Sequence, residues 1–122
     1  MTIVMNRDAI LNADDIVMES IYVKEWDGTV NLRVMSGVAR ERWEDKASSS
    51  ENVEGAVGRL LVECICDDDG NLIFTDEDIE QLGEKACGPL INLFEKACEL
   101  NTLTGTEVNQ VAGNSVSDLN GS

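Results

Sequence analysis

The sequence predicts an α+β fold: an N-terminal antiparallel β-hairpin packed on a C-terminal bundle of about four helices. Three observations lead there. Residues 20–36, SIYVKEWDGTVNLRVMS, alternate apolar and polar side chains around Asp27-Gly28, the dipeptide that favours a two-residue hairpin turn. That alternation gives one apolar and one polar face, as a sheet covered on one side by helices requires. Beyond Ser36, apolar residues recur at helical spacing in successive segments, most of them opened by a residue able to cap a helix.

Taken in order, Asn6 is placed to cap a short helix over about 7–12. A two-residue turn at Asp27 and Gly28 would pair Val23 with Leu32 and Ile21 with Val34 on the apolar face. Tyr22 would then meet Arg33, and Lys24 would meet Asn31, on the polar face. Ser36 caps a helix expected to reach about Lys46, followed by a loop, KASSSENVEG, in which Ser48 and Glu51 have capping-box spacing. Val53, Ala56, Val57, Leu60, Leu61, Cys64 and Ile65 then hold helical periodicity, weakened at Gly55 and Gly58.

Asp69-Gly70-Asn71 should turn the chain into a brief extended segment, LIF. Thr75 caps a helix with Ile79, Leu82 and Ala86 as its apolar positions. Pro89 suits the first turn of the next helix, where its missing N–H costs nothing. That helix carries Leu90, Ile91, Leu93, Phe94, Ala97, Cys98 and Leu100 over half its circumference, and is the expected centre of the core. Thr104 and Glu107 form a further capping box, with Leu103 and Val108 at staple spacing. The 122 residues fit one domain, expected over 1–113, with a mobile polar tail over 114–122.

Charge narrows the function. Nine Lys and Arg against 24 Asp and Glu leave a net charge of −15, which opposes binding to nucleic-acid phosphates or anionic lipid. A protein partner, basic or neutral, is expected instead, with no nucleic acid and no membrane. The N-terminus lacks an apolar targeting core and no run approaches spanning length, so a soluble cytoplasmic protein is expected. The chain has no histidine, its four cysteines show no C-x-x-C spacing, and no phosphate-binding glycine motif occurs. Zinc-finger, thioredoxin-like and Ser-His or Cys-His catalytic readings fail, so no enzyme and no cofactor or metal is expected. The cysteines read as small core hydrophobes.

The acidic stretch CDDDGNLIFTDEDIEQLGEK, Cys66 to Lys85, first resembles a calcium loop. With Gly70 at the invariant glycine, Asp67 and Asp69 fall on ligand positions, but Ile65 and Asp76 stand where an acid and a glutamate are required. An Asp-rich turn followed by a helix whose first turn carries Asp76, Glu77 and Asp78 accounts for the same residues. Density is harder to account for, because Leu60 to Glu84 holds nine acidic residues and no basic one. Either a solvated acidic face or a surface that steers a basic partner follows. The residues expected to serve such a surface are Asp67, Asp68, Asp69, Asp76 and Glu77. Trp26 and Trp43 are, of the large aromatics, the two best placed to be partly exposed; buried packing is the default reading for both, with a role at a partner surface as the alternative.

The succession ILNADDI, VKEWDGTVNLRVMSG, CDDDGNLIFTDEDIEQLGEKA and INLFEKACELNTLT resembles the small tail assembly chaperones of long-tailed bacteriophages, over about Arg7 to Gly113. Its most specific piece is the D-x-D-G-N turn with F-T-D-E-D and L-G-E-K, Asp67 to Lys85. The resemblance implies an acidic, non-enzymatic chaperone that coats the tape measure protein, delivers major tail-tube protein, and acts in the host cytoplasm without remaining in the mature virion. It also implies that this chain corresponds to the shorter of two forms related by a frameshift, and it allows homo-oligomers. A minor virion or connector protein and an acidic DNA-mimic inhibitor are the competing readings.

Overall fold

A computed structural model describes residues 2–49 and 55–103. Its elements are helix α1 (Arg7–Leu11), strands β1 (Met18–Val23) and β2 (Gly28–Arg33), helices α2 (Gly37–Ser49) and α3 (Ala56–Val62), and strand β3 (Ile65–Cys66). A 3-10 turn (Asp76–Asp78), α4 (Ile79–Gly83) and α5 (Cys87–Leu100) follow. The α+β class holds. The sheet, however, has three strands in the order β1-β2-β3, because β3 returns from the helices to pair antiparallel with β2.

The hairpin forms with a different register. Val23 pairs with Gly28, Ile21 with Val30, Tyr22 with Thr29 and Met18 with Arg33. Lys24 therefore lies in the turn, and Asn31 faces Ser20, whose hydroxyl donates to Asn31 Oδ1 at 2.6 Å. The turn spans four residues, held by Trp26 N donating to Val23 O and Asp27 N to Lys24 O. Asp27, not Gly28, takes the left-handed conformation, at φ 47°, one that Asp adopts more readily than most residues. Its carboxylate accepts from the Tyr22 hydroxyl at 2.9 Å, which raises the phenol pKa. The slip is by an even number of positions, so each residue keeps its face: Val23 and Leu32 are buried as the alternation requires.

Capping fixes the helices where the sequence places caps. Asn6 Oδ1 accepts from Ala9 N at 2.9 Å, and Ser36 Oγ accepts from Ala39 N at 3.1 Å. At Thr75, the backbone N–H donates to Asp78 Oδ2 at 2.8 Å, closing a capping box. α2 runs three residues past Lys46, so Ser48 is helical and its hydroxyl donates back to Asp45 O. The Ser48–Glu51 box, the helical position at Val53, the Thr104–Glu107 box and the tail over 114–122 all involve residues outside those described.

The helix expected through Ile65 ends at Val62. Glu63 N and Cys64 N donate to Leu60 O and Leu61 O, tightening the last turn, and the chain then extends so that Ile65 pairs with Leu32. Every residue from Gly58 to Cys66 is buried, so helix and strand are apolar alike there and periodicity cannot separate them. Gly58 has a packing role: a Cβ there would lie 3.1 Å from both Ile79 O and Ile79 Cγ2, so its absence lets α4 approach α3.

The core lies between the sheet and the helices, with Leu32, Leu60, Leu61 and Leu93 fully buried and Trp43 2% exposed. Burying each such side chain stabilises the fold by about 1.5–3 kcal/mol. Trp43 is thus a core residue, ruling out partial exposure there, with the Arg40 guanidinium 5.4 Å from its ring centroid. α5 buries Leu90, Leu93 and Ala97, whereas Ile91 is 39% exposed at the margin of the stripe. Asn101, at its end, accepts from Met35 N at 2.7 Å and donates to Ala97 O, fastening α5 to the strand exit. Cys64 and Cys66 are buried and Cys98 half-buried, as expected of small hydrophobes, but Cys87 is exposed. Burial pushes the Cys64 thiol pKa up to about 12 and that of Cys98 to about 11.

Candidate functional site: a groove beside β2

The acidic segment begins with a tight turn. Asp67 Oδ1 accepts from Asp69 N at 2.9 Å and Asn71 N at 3.0 Å, while Gly70, at φ 86°, donates to Asp67 O. Glycine suits that position because a Cβ disfavours the left-handed conformation. The returning chain bridges Cys66 with Leu72, and Ile73 and Phe74 then lead into the Thr75 cap. Asp68 accepts from Asn31 Nδ2 at 3.0 Å and Arg33 donates to Gly70 O at 2.8 Å, so β2 side chains hold both ends of the turn.

Between this turn, the free half of β2 and α4 lies a groove of about 630 Å³. Val30, Ile65, Phe74 and Leu82 give it apolar walls. Asp67, Asp68 and Asp78 supply negative charge against one Lys85, and Trp26 stands at the hairpin end. Among the described residues, no strand covers the backbone of β2 here. Arg33 N bonds to Cys64 O on the β3 side and Val34 N to Val17 O on the β1 side, so odd-numbered residues of β2 direct their amides and carbonyls toward β3. β3 reaches only opposite Asn31, which leaves the amide and carbonyl of Thr29 directed into the groove.

The groove brings together Trp26, which is 36% exposed, Asp67 and Asp68. Asp69 and Glu77 are exposed outside it. Asp76 lies in a separate cleft where the basic side of α2 meets the acidic segment: Lys46 pairs with Asp76, and Arg42 donates to Glu63 Oε1 at 2.9 Å and Oε2 at 3.2 Å. Those bonds and the Glu63 charge raise the Arg42 pKa. The nine-residue acidic density is therefore partly neutralised by α2, and Glu63, 4% exposed, belongs to the interior. Trp43 does not reach the surface. Thr29, Gln81 and Lys85 were not anticipated as site residues. The alternation of β2 marks Thr29 as backbone-exposed once β3 is known to be two residues long, but that length has no signal in the sequence.

No group of three or more metal-ligating side chains occurs among the described residues, and no helix there is long and apolar enough to cross a membrane. A family model described as phage tail assembly chaperone matches residues 6–114. The chain belongs to that family. Among solved structures, the tail assembly chaperone of bacteriophage HK97 superposes with a TM-score of 0.57 at 25% identity, over 76% of this chain and 90% of that one. No curated protein sequence matches the chain. Tail assembly is thus the process in which this small α+β protein takes part, and the role that names the family is assembly, not catalysis.

Proposed function

We propose that this chaperone binds the tape measure protein of its phage and helps recruit major tail-tube subunits to it during tail morphogenesis, without enzymatic activity and without remaining in the virion. Family membership over most of the chain carries this reading. The charge is consistent with it: at −15, free copies repel one another and stay dispersed, and an elongated, basic or neutral client meets a complementary surface. The exposed acids Asp68, Asp69 and Glu77, with Trp26 at their hairpin end, are the proposed contact surface. Asp67, whose Oδ1 accepts from the turn, adds its exposed carboxylate charge to the same surface. A modest polar patch with one aromatic suits a contact that must later be released. The host cytoplasm is where such a client is made.

The test is co-expression with the tape measure protein of the same phage genome, reading out soluble co-purification. Retention of a soluble complex is expected, weakened by Asp68→Asn, Asp69→Asn and Glu77→Gln combined and by Trp26→Ala. A tape measure protein that stays insoluble and unbound would defeat the proposal.

A further inference from the structure

Strand β1 lies at the outside of the sheet, on the side away from the groove. Val34 N donates to Val17 O across the hairpin, so odd-numbered residues of β1 bond to β2, and the amides and carbonyls of Met18, Ser20 and Tyr22 turn outward. Among the described residues, no backbone group pairs with them. This edge is six residues long, about 20 Å at about 3.3 Å per residue, and its register with β2 is unbroken by a bulge. It holds neither proline nor lysine, two of the residues that guard an edge strand. Side-chain bonds from Ser20 to Asn31 and from Tyr22 to Asp27 fix the strand in place. Val17, Met18 and Tyr22 are 57%, 42% and 60% exposed along it. An open edge of this kind is a template for another strand.

We propose that the outer edge of β1 receives an added strand from a partner protein, an extended segment that alternates apolar residues with Lys or Arg. Charge selects that occupant. Residues 12–27 carry Asp14, Asp15, Glu19, Glu25 and Asp27, all exposed, against Lys24 alone, and the nearest base across the sheet, Arg33, donates to Gly70 O. A basic strand therefore gains favourable cross-strand pairs as well as long-range attraction to a chain of net −15. The same charges oppose a second copy: antiparallel pairing about Ser20 would set Asp15 of each chain against Glu25 of the other, at both ends of the ladder. Apolar residues of the incoming strand would meet Ile21 on the core side of the sheet, and Met18 and Tyr22 on the other. Main-chain bonds supply the affinity, and the alternation sets the register. The contact holds whichever tail protein provides the segment.

The probe is a blocked peptide of about seven residues that alternates valine with lysine and arginine, long enough to span β1. It is titrated into the full chain at low salt and followed by amide NMR shifts. The amides of Met18, Ser20 and Tyr22 should shift together and saturate, while Thr29, in the groove, stays unmoved. Two altered peptides separate strand addition from charge attraction. N-methylation at alternate residues keeps every charge but blocks the pairing amides, and should weaken binding about tenfold or more. Glutamate in place of each basic residue should abolish it. On the protein side, Ser20→Pro removes one outward amide at a position where an edge strand tolerates proline, and should also cost about tenfold. Glu19→Lys should weaken binding about threefold or more and flatten its salt dependence. An N-methylated peptide that binds as well as the parent, shifts centred on Thr29, or no saturation at millimolar peptide would overturn the proposal. So would a chain whose β1 amides are already protected in a dimer, since a second copy would then be the occupant. If Ser20→Pro loses its circular dichroism signature of folding, the N-methylated peptide and Glu19→Lys decide.

Discussion

The Arg42–Glu63 pair should be the most sensitive electrostatic element of this fold. Glu63 sits at the α3-to-β3 corner with its side chain 5% exposed, and its two oxygens accept from Arg42 at 2.9 and 3.2 Å. Arg42→Met would leave that carboxylate desolvated and without its bidentate donor. Breaking a fully buried pair costs about 3–5 kcal/mol, but the Arg42 side chain is 46% exposed and water screens its end. The expected loss is about 2–3 kcal/mol, which lowers the melting temperature by roughly 10–20 °C in a domain of this size. Glu63→Leu combined with Arg42→Met should recover part of the loss, because no carboxylate is then buried at this corner without its donor. Chemical denaturation of the two single variants and the double variant measures the coupling. Strict additivity, or a loss below about 0.5 kcal/mol for Arg42→Met, would refute the view that α2 holds this corner through the ion pair.

Three further outcomes follow from the same contacts. Trp43→Ala should destabilise by about 3–5 kcal/mol, as for a large core aromatic, while Trp26→Ala should change stability by less than about 1 kcal/mol; urea titration separates them. Asp67→Ala should cost about 1–2 kcal/mol by freeing the amides of Asp69 and Asn71, and should speed amide hydrogen exchange at both. A thiol reagent at neutral pH should modify Cys87 before Cys64 or Cys98, since Cys87 is exposed and burial holds the other two thiols protonated. Their folded pKa values exceed the reference value of 9.0, so their contribution to stability is complete below pH 9 and is lost as pH climbs toward about 11 and 12. Cys64→Ala should flatten that alkaline loss, as thermal unfolding at pH 8 and pH 10.5 would report.

Much of the fold is legible in the sequence because its signals are local. Asn6, Ser36 and Thr75 each have a cap's chemistry and each caps. The faces of the hairpin survive a changed register because both registers share one parity. The failures occur where burial is complete or pairing is distant. Cys64 and Ile65 could extend a helix or begin a strand, and only the long-range partner Leu32 decides. Trp43 takes the packing expected of a large aromatic by default, 2% exposed with Arg40 over its ring, whereas Trp26 on the four-residue turn stays partly exposed. The acidic turn shows both sides of the same limit. Its shape follows from Asp67, Gly70 and Asn71, but the groove beside it depends on how far β3 extends, on α4 packing against Gly58, and on a four-residue turn that carries Trp26 to the rim.

The proposed role requires that this protein assist tail assembly and then depart. Quantitative mass spectrometry of gradient-purified particles and of tail-assembly intermediates, both taken from one infected culture, tests it most directly. The chain should appear together with tape measure protein in the intermediates and be lost from finished particles. A fixed number of copies retained in every finished particle would contradict it and identify the protein as a structural component of the tail.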